Sequence, residues 1–235
     1  MNKIQLFIFS VLLIFAPPLV SNAQRFGIKA GYNFSKLGYD GLGKDIYSSA
    51  SDIRTSATFG GYVNFKLFPL IFLQLEGNYE TKGVKYSNPP LPYFNASFDG
   101  IYNEHLDYLS IPVLLRFNII AFQIEAGPYF AFLLKAEETK KGFQKIPNAD
   151  GGWIEQYFDK VYDLKPITKG TDIGLTAGVG VSYSIGPMQI SGGARYNYGF
   201  TNILKEPIIN DNGEVWIDSK KNRNFYIYIG LGIHI

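Results

Sequence analysis

NFYIYIGLGIHI, residues 224–235, alternates without a break. Phe225, Ile227, Ile229, Leu231, Ile233 and Ile235 fall on one side of an extended chain, and Asn224, Tyr226, Tyr228, Gly230, Gly232 and His234 on the other. Successive strand side chains point to opposite faces, so this segment offers one wholly apolar face and one face of polar, aromatic and small residues. A chain that ends inside such a strand is expected to close its sheet against its own first strand.

Seven more segments share the pattern. In DIGLTAGVGVSYSIGPMQISGGARYNYG (172–199), two strands flank the turn Ser184-Ile185-Gly186-Pro187, with Leu175, Val179 and Val181 and then Met188, Ile190 and Tyr196 on the apolar side. FQIEAGPYFAFLL (122–134) and the stretch 107–117 flank the tight connection Asn118-Ile119-Ile120-Ala121. Segments 55–67 and 71–80 flank Phe68-Pro69-Leu70, and RFGIKAGYNFS (25–35) opens the series with Phe26, Ile28, Ala30, Tyr32 and Phe34 on one face. Pro112 lies inside the 107–117 strand, where it removes a ladder donor and predicts a bulge or a non-bonded position.

Alternation alone suits a soluble sandwich as well as a membrane barrel. The gaps decide. Connections two, four and six are minimal, whereas one, three, five and seven (near 35–54, 83–105, 135–170 and 199–223) are long. That sorting matches the short periplasmic turns and long external loops of outer-membrane barrels. Tyr32, Phe34, Tyr79, Tyr183, Tyr196 and Tyr198 lie towards strand ends, where aromatic girdles meet the membrane interfaces. The expected fold is all-β: an eight-stranded antiparallel transmembrane β-barrel with short periplasmic turns and long extracellular loops.

The first residues, MNKIQLFIFSVLLIFAPPLVSNAQ, place Lys3 before an apolar run that ends at small residues. This predicts a signal peptide over 1–23, cleaved after Ala23, followed by one barrel domain over 24–235. No cysteine is present, which excludes a lipoprotein anchor and a disulfide scaffold. With 22 Lys plus Arg against 20 Asp plus Glu, the charge gives no support to nucleic-acid binding.

Eight strands enclose just enough space for side chains, so inward charges need partners. Lys29, Lys66, Arg116 and Arg195 are expected to face Glu76, Glu80 and Glu125 as an interior polar network. A sharper alternative is a narrow ion path or small-ligand pocket among Glu76, Glu125, Arg116 and Arg195. The loops offer aromatic surface for contact with a partner: Tyr93, Phe94, Phe98 and Tyr102 in the second, Trp153 and Tyr157 in the third, and Trp216 in the fourth. The second loop can equally fold over the mouth as a lid, and the third can extend its hairpin beyond the membrane. Asn210-Asp211-Asn212-Gly213 predicts a small hairpin in the fourth.

No catalytic set emerges, so the chain is expected not to be an enzyme. Only His105 and His234 are available as bases, and the strand order sends them to opposite ends. No metal or cofactor motif is present; the glycine-rich stretch 38–44 lacks Walker spacing and a following helix and reads as loop chemistry. Calcium at Asp150 or Asp211 is open on ligand type, with too few carboxylates in order for an EF-hand.

The segments RFGIKAGYNFS, HLDYLSIPVLLRFN (105–118), FQIEAGPYFAFLL, 172–199 and the terminal YIYIGLGIHI resemble the PorT-like outer-membrane β-barrel family common in Bacteroidetes. That resemblance covers the mature chain and implies an integral protein of the Gram-negative outer membrane. The founding member is implicated in protein secretion. The expected role is structural or interactive, through the external loops. Partners would be outer-membrane lipid, lipopolysaccharide and envelope or secretion-system proteins, with the barrel itself monomeric. A secretion component or a narrow channel is the alternative.

Overall fold

A computed structural model describes residues 25–87, 97–147, 152–210 and 212–234. The signal segment 1–23, Tyr93, Phe94, Asp150 and Asp211 lie outside the described residues, as does the side chain of Phe98.

In chain order the elements are β1 (Arg25–Asp40), α1 (Lys44–Ala50), β2 (Ser51–Asp52), β3 (Arg54–Phe68), β4 (Ile71–Ser87), β5 (Ser97–Ile119) and β6 (Phe122–Pro147). There follow β7 (Trp153–Asp163), β8 (Thr171–Ile185), β9 (Met188–Gly199), β10 (Ile208–Ile209), β11 (Val215–Ile217) and β12 (Ser219–His234). They form a large antiparallel sheet that resembles an outer-membrane barrel. β1 pairs with β3 on one edge and with β12 on the other, so that Lys29 has Gly60 and Gly230 as its two neighbours. The ladders continue β3–β4–β5–β6–β8–β9–β12, giving each of these eight strands an antiparallel neighbour on both edges.

The three short connections lie where the sequence puts them. Pro69-Leu70, Ile120-Ala121 and Gly186-Pro187 each join two long strands. Gly186 has φ +58°, a conformation glycine adopts without steric cost.

The long connections are shorter than the sequence suggested, because strands run on into them. Beyond the apolar belt, β5 pairs with β6 from Ser97↔Lys145 to Asp107↔Lys135, and β6 pairs with β7 from Pro147↔Trp153 to Glu137↔Asp163. The third loop is thus an extension of its hairpin. β10 and β11 make the small hairpin of the fourth. The glycine-rich stretch ends β1 and turns into α1, a seven-residue helix that the sequence reading left out.

Pro112 interrupts the β4 ladder without shifting its register; the gap in the β6 ladder falls at Val113 and Leu114, opposite Pro128 and Gly127, where Pro128 has no amide donor. Pairing with β4 resumes from Leu75↔Val113 to Asn78↔Ser110, and pairing with β6 from Pro112↔Tyr129 to Leu115↔Ala126. A non-bonded position, not a bulge, accommodates the missing donor.

The two faces separate as the alternation requires, with one exception. Lys66, expected inside, is exposed, while Phe65, expected outside, is buried. Both keep the register of Asn64↔Gln74 through Lys66↔Phe72 and stand just before the slip beside the Pro69-Leu70 turn, so Lys66 sits at the short-turn end of the ladder, where water reaches it.

Candidate functional site

The exposed face is an apolar belt. It includes Ile28 on β1, Leu115 on β5, Ile124 on β6, Val179 on β8 and Ile229 on β12, the last 72% exposed. Water-soluble surfaces rarely carry contiguous apolar area on this scale. The opposite face inverts the usual core: Arg195, Glu125, Gln123 and Gln74 are each only 1% exposed.

Buried charge must be paired and hydrogen-bonded. Arg195, from β9, places Nη2 2.7 Å from Glu76 Oε1 and Nη1 2.8 Å from Glu76 Oε2 on β4, while its Nε donates to Glu125. Arg116 donates to Glu125 Oε2 from Nη2 and Nε at 2.8 and 3.1 Å. Lys29 donates to Glu76, and Asn78 adds a 2.9 Å bond to the same carboxylate. Tyr228 donates to Glu125 at 3.0 Å, and the Tyr226 hydroxyl accepts from Arg195 at 2.8 Å. Gly178 leaves the seat for Arg195: a Cβ there would stand 2.5 Å from Arg195 Cγ and 2.7 Å from the Ala194 carbonyl oxygen.

Five of the seven expected network residues, Lys29, Glu76, Arg116, Glu125 and Arg195, therefore meet in one cluster. Lys66 does not join it. Glu80 sits in a separate layer further from the short turns, 3.6 Å from Lys82, which in turn lies 3.2 Å from Asp172. Asn222 and Tyr129 complete that layer with bonds of 2.9 and 3.1 Å to Asp172. Sequence reasoning missed Lys82 and Asp172 as a pair, although both continue the inward parity of their strands.

An apolar plug lies beyond the second layer. Leu37, Leu106, Leu133, Leu164, Ile203 and Ile217 are buried together, with Tyr39 and Tyr86 in hydroxyl contact. Leu164 and Ile203 come from connecting segments. These are tied down by bonds from Lys169 N to Ile203 O (2.7 Å) and from Ile203 N to Lys220 O (2.8 Å).

Two of the aromatic contact residues are not free surface. Tyr102 is half-buried, donates to Glu138 and packs edge-on against Tyr86. Trp216 packs on the plug and lies over Gly43, where a Cβ would stand 2.6 Å from its ring. Amphipathic rings beside a mouth find apolar cover there, and a loop sequence without periodicity gives no sign of it. Trp153 and Tyr157 stand exposed on β7, Tyr157 against Phe143.

Above the belt, burial raises the Glu138 carboxyl, with the Tyr102 hydroxyl bond opposing and Glu104 reinforcing. His105 lies 2.9 Å from Asp107 and beside Arg54; burial first, then Arg54, lowers its pKa. His234 is at the short-turn end, where its amide bonds to Pro187 O. Among the described residues no three His, Asp or Glu side chains gather as metal ligands.

An apolar exterior around a charged, hydrogen-bonded interior defines a β-structured protein of the outer membrane. The chain belongs to the outer membrane protein beta-barrel domain family, which matches residues 20–205. Among solved structures it is similar to Neisserial surface protein A (14% identity, TM-score 0.42, covering 89% of this chain and 97% of that one). It is also similar to Ail, the attachment invasion locus protein of Yersinia pestis (12%, 0.40, 90% and 99%), and to Acinetobacter baumannii CarO2 (11%, 0.40, 90% and 100%). No curated protein matches it.

Proposed function

We propose that the chain is a closed, eight-stranded transmembrane β-barrel, with short turns at the periplasmic end and its extensions outside the cell. It serves the envelope as a non-catalytic structural or interaction protein. The observation that carries this reading is the stacked interior: a charged cluster, a second ionic layer and an apolar plug lie one beyond another inside the ring of strands. A channel needs a continuous wet path past Arg116, Glu125 and Arg195. Those three are buried and bonded to one another, and the way outward runs into Leu106, Leu133 and Ile203.

Interaction then falls to the surface beyond the belt, where β7 exposes Trp153, Ile154, Tyr157 and Val161. The eight barrel strands are paired on both edges within the chain, which favours a monomeric barrel in contact with outer-membrane lipid and lipopolysaccharide. The resemblance to PorT-like proteins adds the secretion machinery of a Bacteroidetes-type envelope to the candidate partners.

Reconstitution in planar bilayers tests the interior, and cross-linked recovery from gently solubilised outer membranes tests the surface. The expected results are no steady conductance, and companions that are lost when Trp153 and Tyr157 become alanine. A stable ohmic conductance from the pure protein would replace this reading with the channel.

A further inference from the structure

Lys36 and Arg223 are direct partners across the β1–β12 ladder. Both lie on the outward side, Lys36 exposed and Arg223 half-buried. Like charges set opposite each other repel. Among the described residues neither forms a salt bridge, whereas Lys221, one step further out, is matched by Asp40 at 3.0 Å.

The Arg223 guanidinium is nevertheless fixed. Its carbon lies 3.6 Å from the centre of the Tyr198 ring, and Nη1 donates to Gly199 O at 2.7 Å and Asn222 O at 2.9 Å. Nε and Nη2 lie on the Gly38 side, 3.8 Å from where a Cβ would stand, so the space beside them is left open by the missing side chain.

Immediately towards the belt, Phe34, Phe225 and Tyr196 form the next row of the same face, as the pairs Phe34↔Phe225 and Phe225↔Tyr196 record. With Ile53 they line an open groove of about 550 Å³ that has Lys36 and Arg223 at its rim. One step in a strand's face is roughly 7 Å, so two cations stand just beyond an aromatic row and an aliphatic belt.

We propose that this face binds a phosphate-bearing, multiply acylated lipid of the outer leaflet, its phosphate between Lys36 and Arg223 and an acyl chain in the groove below. The phosphate removes the repulsion between the two cations through charge-assisted bonds. Arginine suits the task because its stacked, doubly anchored plane keeps the remaining N–H groups aimed. A free anion has no use for the groove, and a plain hydrocarbon has none for the cations. The assignment rests on the barrel reading above, which sets this row at the outer interface.

Native mass spectrometry of the full chain in detergent micelles tests it with three probes: lipid A bisphosphate, its dephosphorylated counterpart and inorganic phosphate. The wild type is expected to retain one lipid A, and the Lys36→Gln/Arg223→Gln variant to bind it at least tenfold more weakly. The dephosphorylated lipid should bind the wild type no better than lipid A binds the variant. A control variant at Lys135 and Lys141, whose carboxylate partners are Glu137 and Asp159, should bind as the wild type does.

Equal retention by wild type and double variant, or displacement of the lipid by millimolar inorganic phosphate, overturns the site. If the double variant does not fold, Lys36→Gln alone carries the comparison, since that side chain is exposed. Vesicle insertion is scored separately: a chain that does not insert refutes the barrel, whereas one that inserts but shows no charge-dependent retention refutes only this site.

Discussion

Arg195 and Glu76, 119 residues apart in the chain, form a two-pronged ion pair across the interior with N–O distances of 2.7 and 2.8 Å. Both side chains are fully shielded from solvent. Glu76 also accepts from Lys29, so removing that carboxylate leaves Lys29 without its ion-pair partner and Arg195 with Glu125 alone, and a stranded buried charge costs about 3–5 kcal/mol. Glu76→Leu should therefore lower stability by that order in urea titrations of the protein in lipid vesicles. Arg195→Leu should cost less, because Lys29 still pairs with Glu76 and Arg116 with Glu125. An Arg195→Leu loss as large as that of Glu76→Leu would mean that packing, not stranded charge, sets the cost.

Gly178 tests the same seat sterically. A side chain there collides with the Arg195 stem and with the Ala194 carbonyl, and the backbone atom cannot move aside cheaply. Gly178→Val is expected to destabilise by about 1–3 kcal/mol, the usual range for overpacking. Gly77, with nothing within 4 Å of its Cβ position on the exposed side, should tolerate alanine far better in the same titration.

What made the sheet legible was parity: once Glu76, Arg116, Glu125 and Arg195 fall on the inward side of their strands, their meeting requires only that neighbouring strands pair in sequence order. Lys66 escaped because its position is the last in register before the turn, where the side chain reaches water instead of the cluster. The plug escaped for a different reason. Leu164 and Ile203 lie in connections without periodicity, and their burial depends on which strand ends stand beneath them. The partial burial of Tyr102 and Trp216 has the same cause, since an aromatic residue in a long connection packs on whatever apolar mouth it reaches.

The belt makes a prediction that separates a membrane face from an interface between soluble molecules. Ile229 lies amid the exposed apolar band, while Val161 is similarly exposed on β7 beyond it. Ile229→Arg should cost about 2–4 kcal/mol in vesicles, as for a cation near the bilayer midplane on a barrel's outer face. Val161→Arg should stay within about 0.5 kcal/mol, as surface substitutions usually do. Equal, small effects at both sites would argue against lipid around β12.

His105 supplies the pH dependence. Burial, then the Arg54 guanidinium, disfavours its charged form, and Asp107 only partly offsets them, so its pKa lies below the ordinary 6.5. Between those two values the unfolded chain binds more protons than the folded one. Stability around the β5 extension is therefore lost as pH falls through 6.5, and the loss levels off once the folded group is also protonated. Following the His105 ring proton by NMR should give a midpoint under 6.5. Arg54→Gln should raise that midpoint by removing a like charge, and Asp107→Asn should depress it further by removing the opposing one. A midpoint at or above 6.5 in the wild type, or shifts of the reverse sign in the two variants, would show that Asp107 dominates and that the imidazolium is the favoured form on this edge.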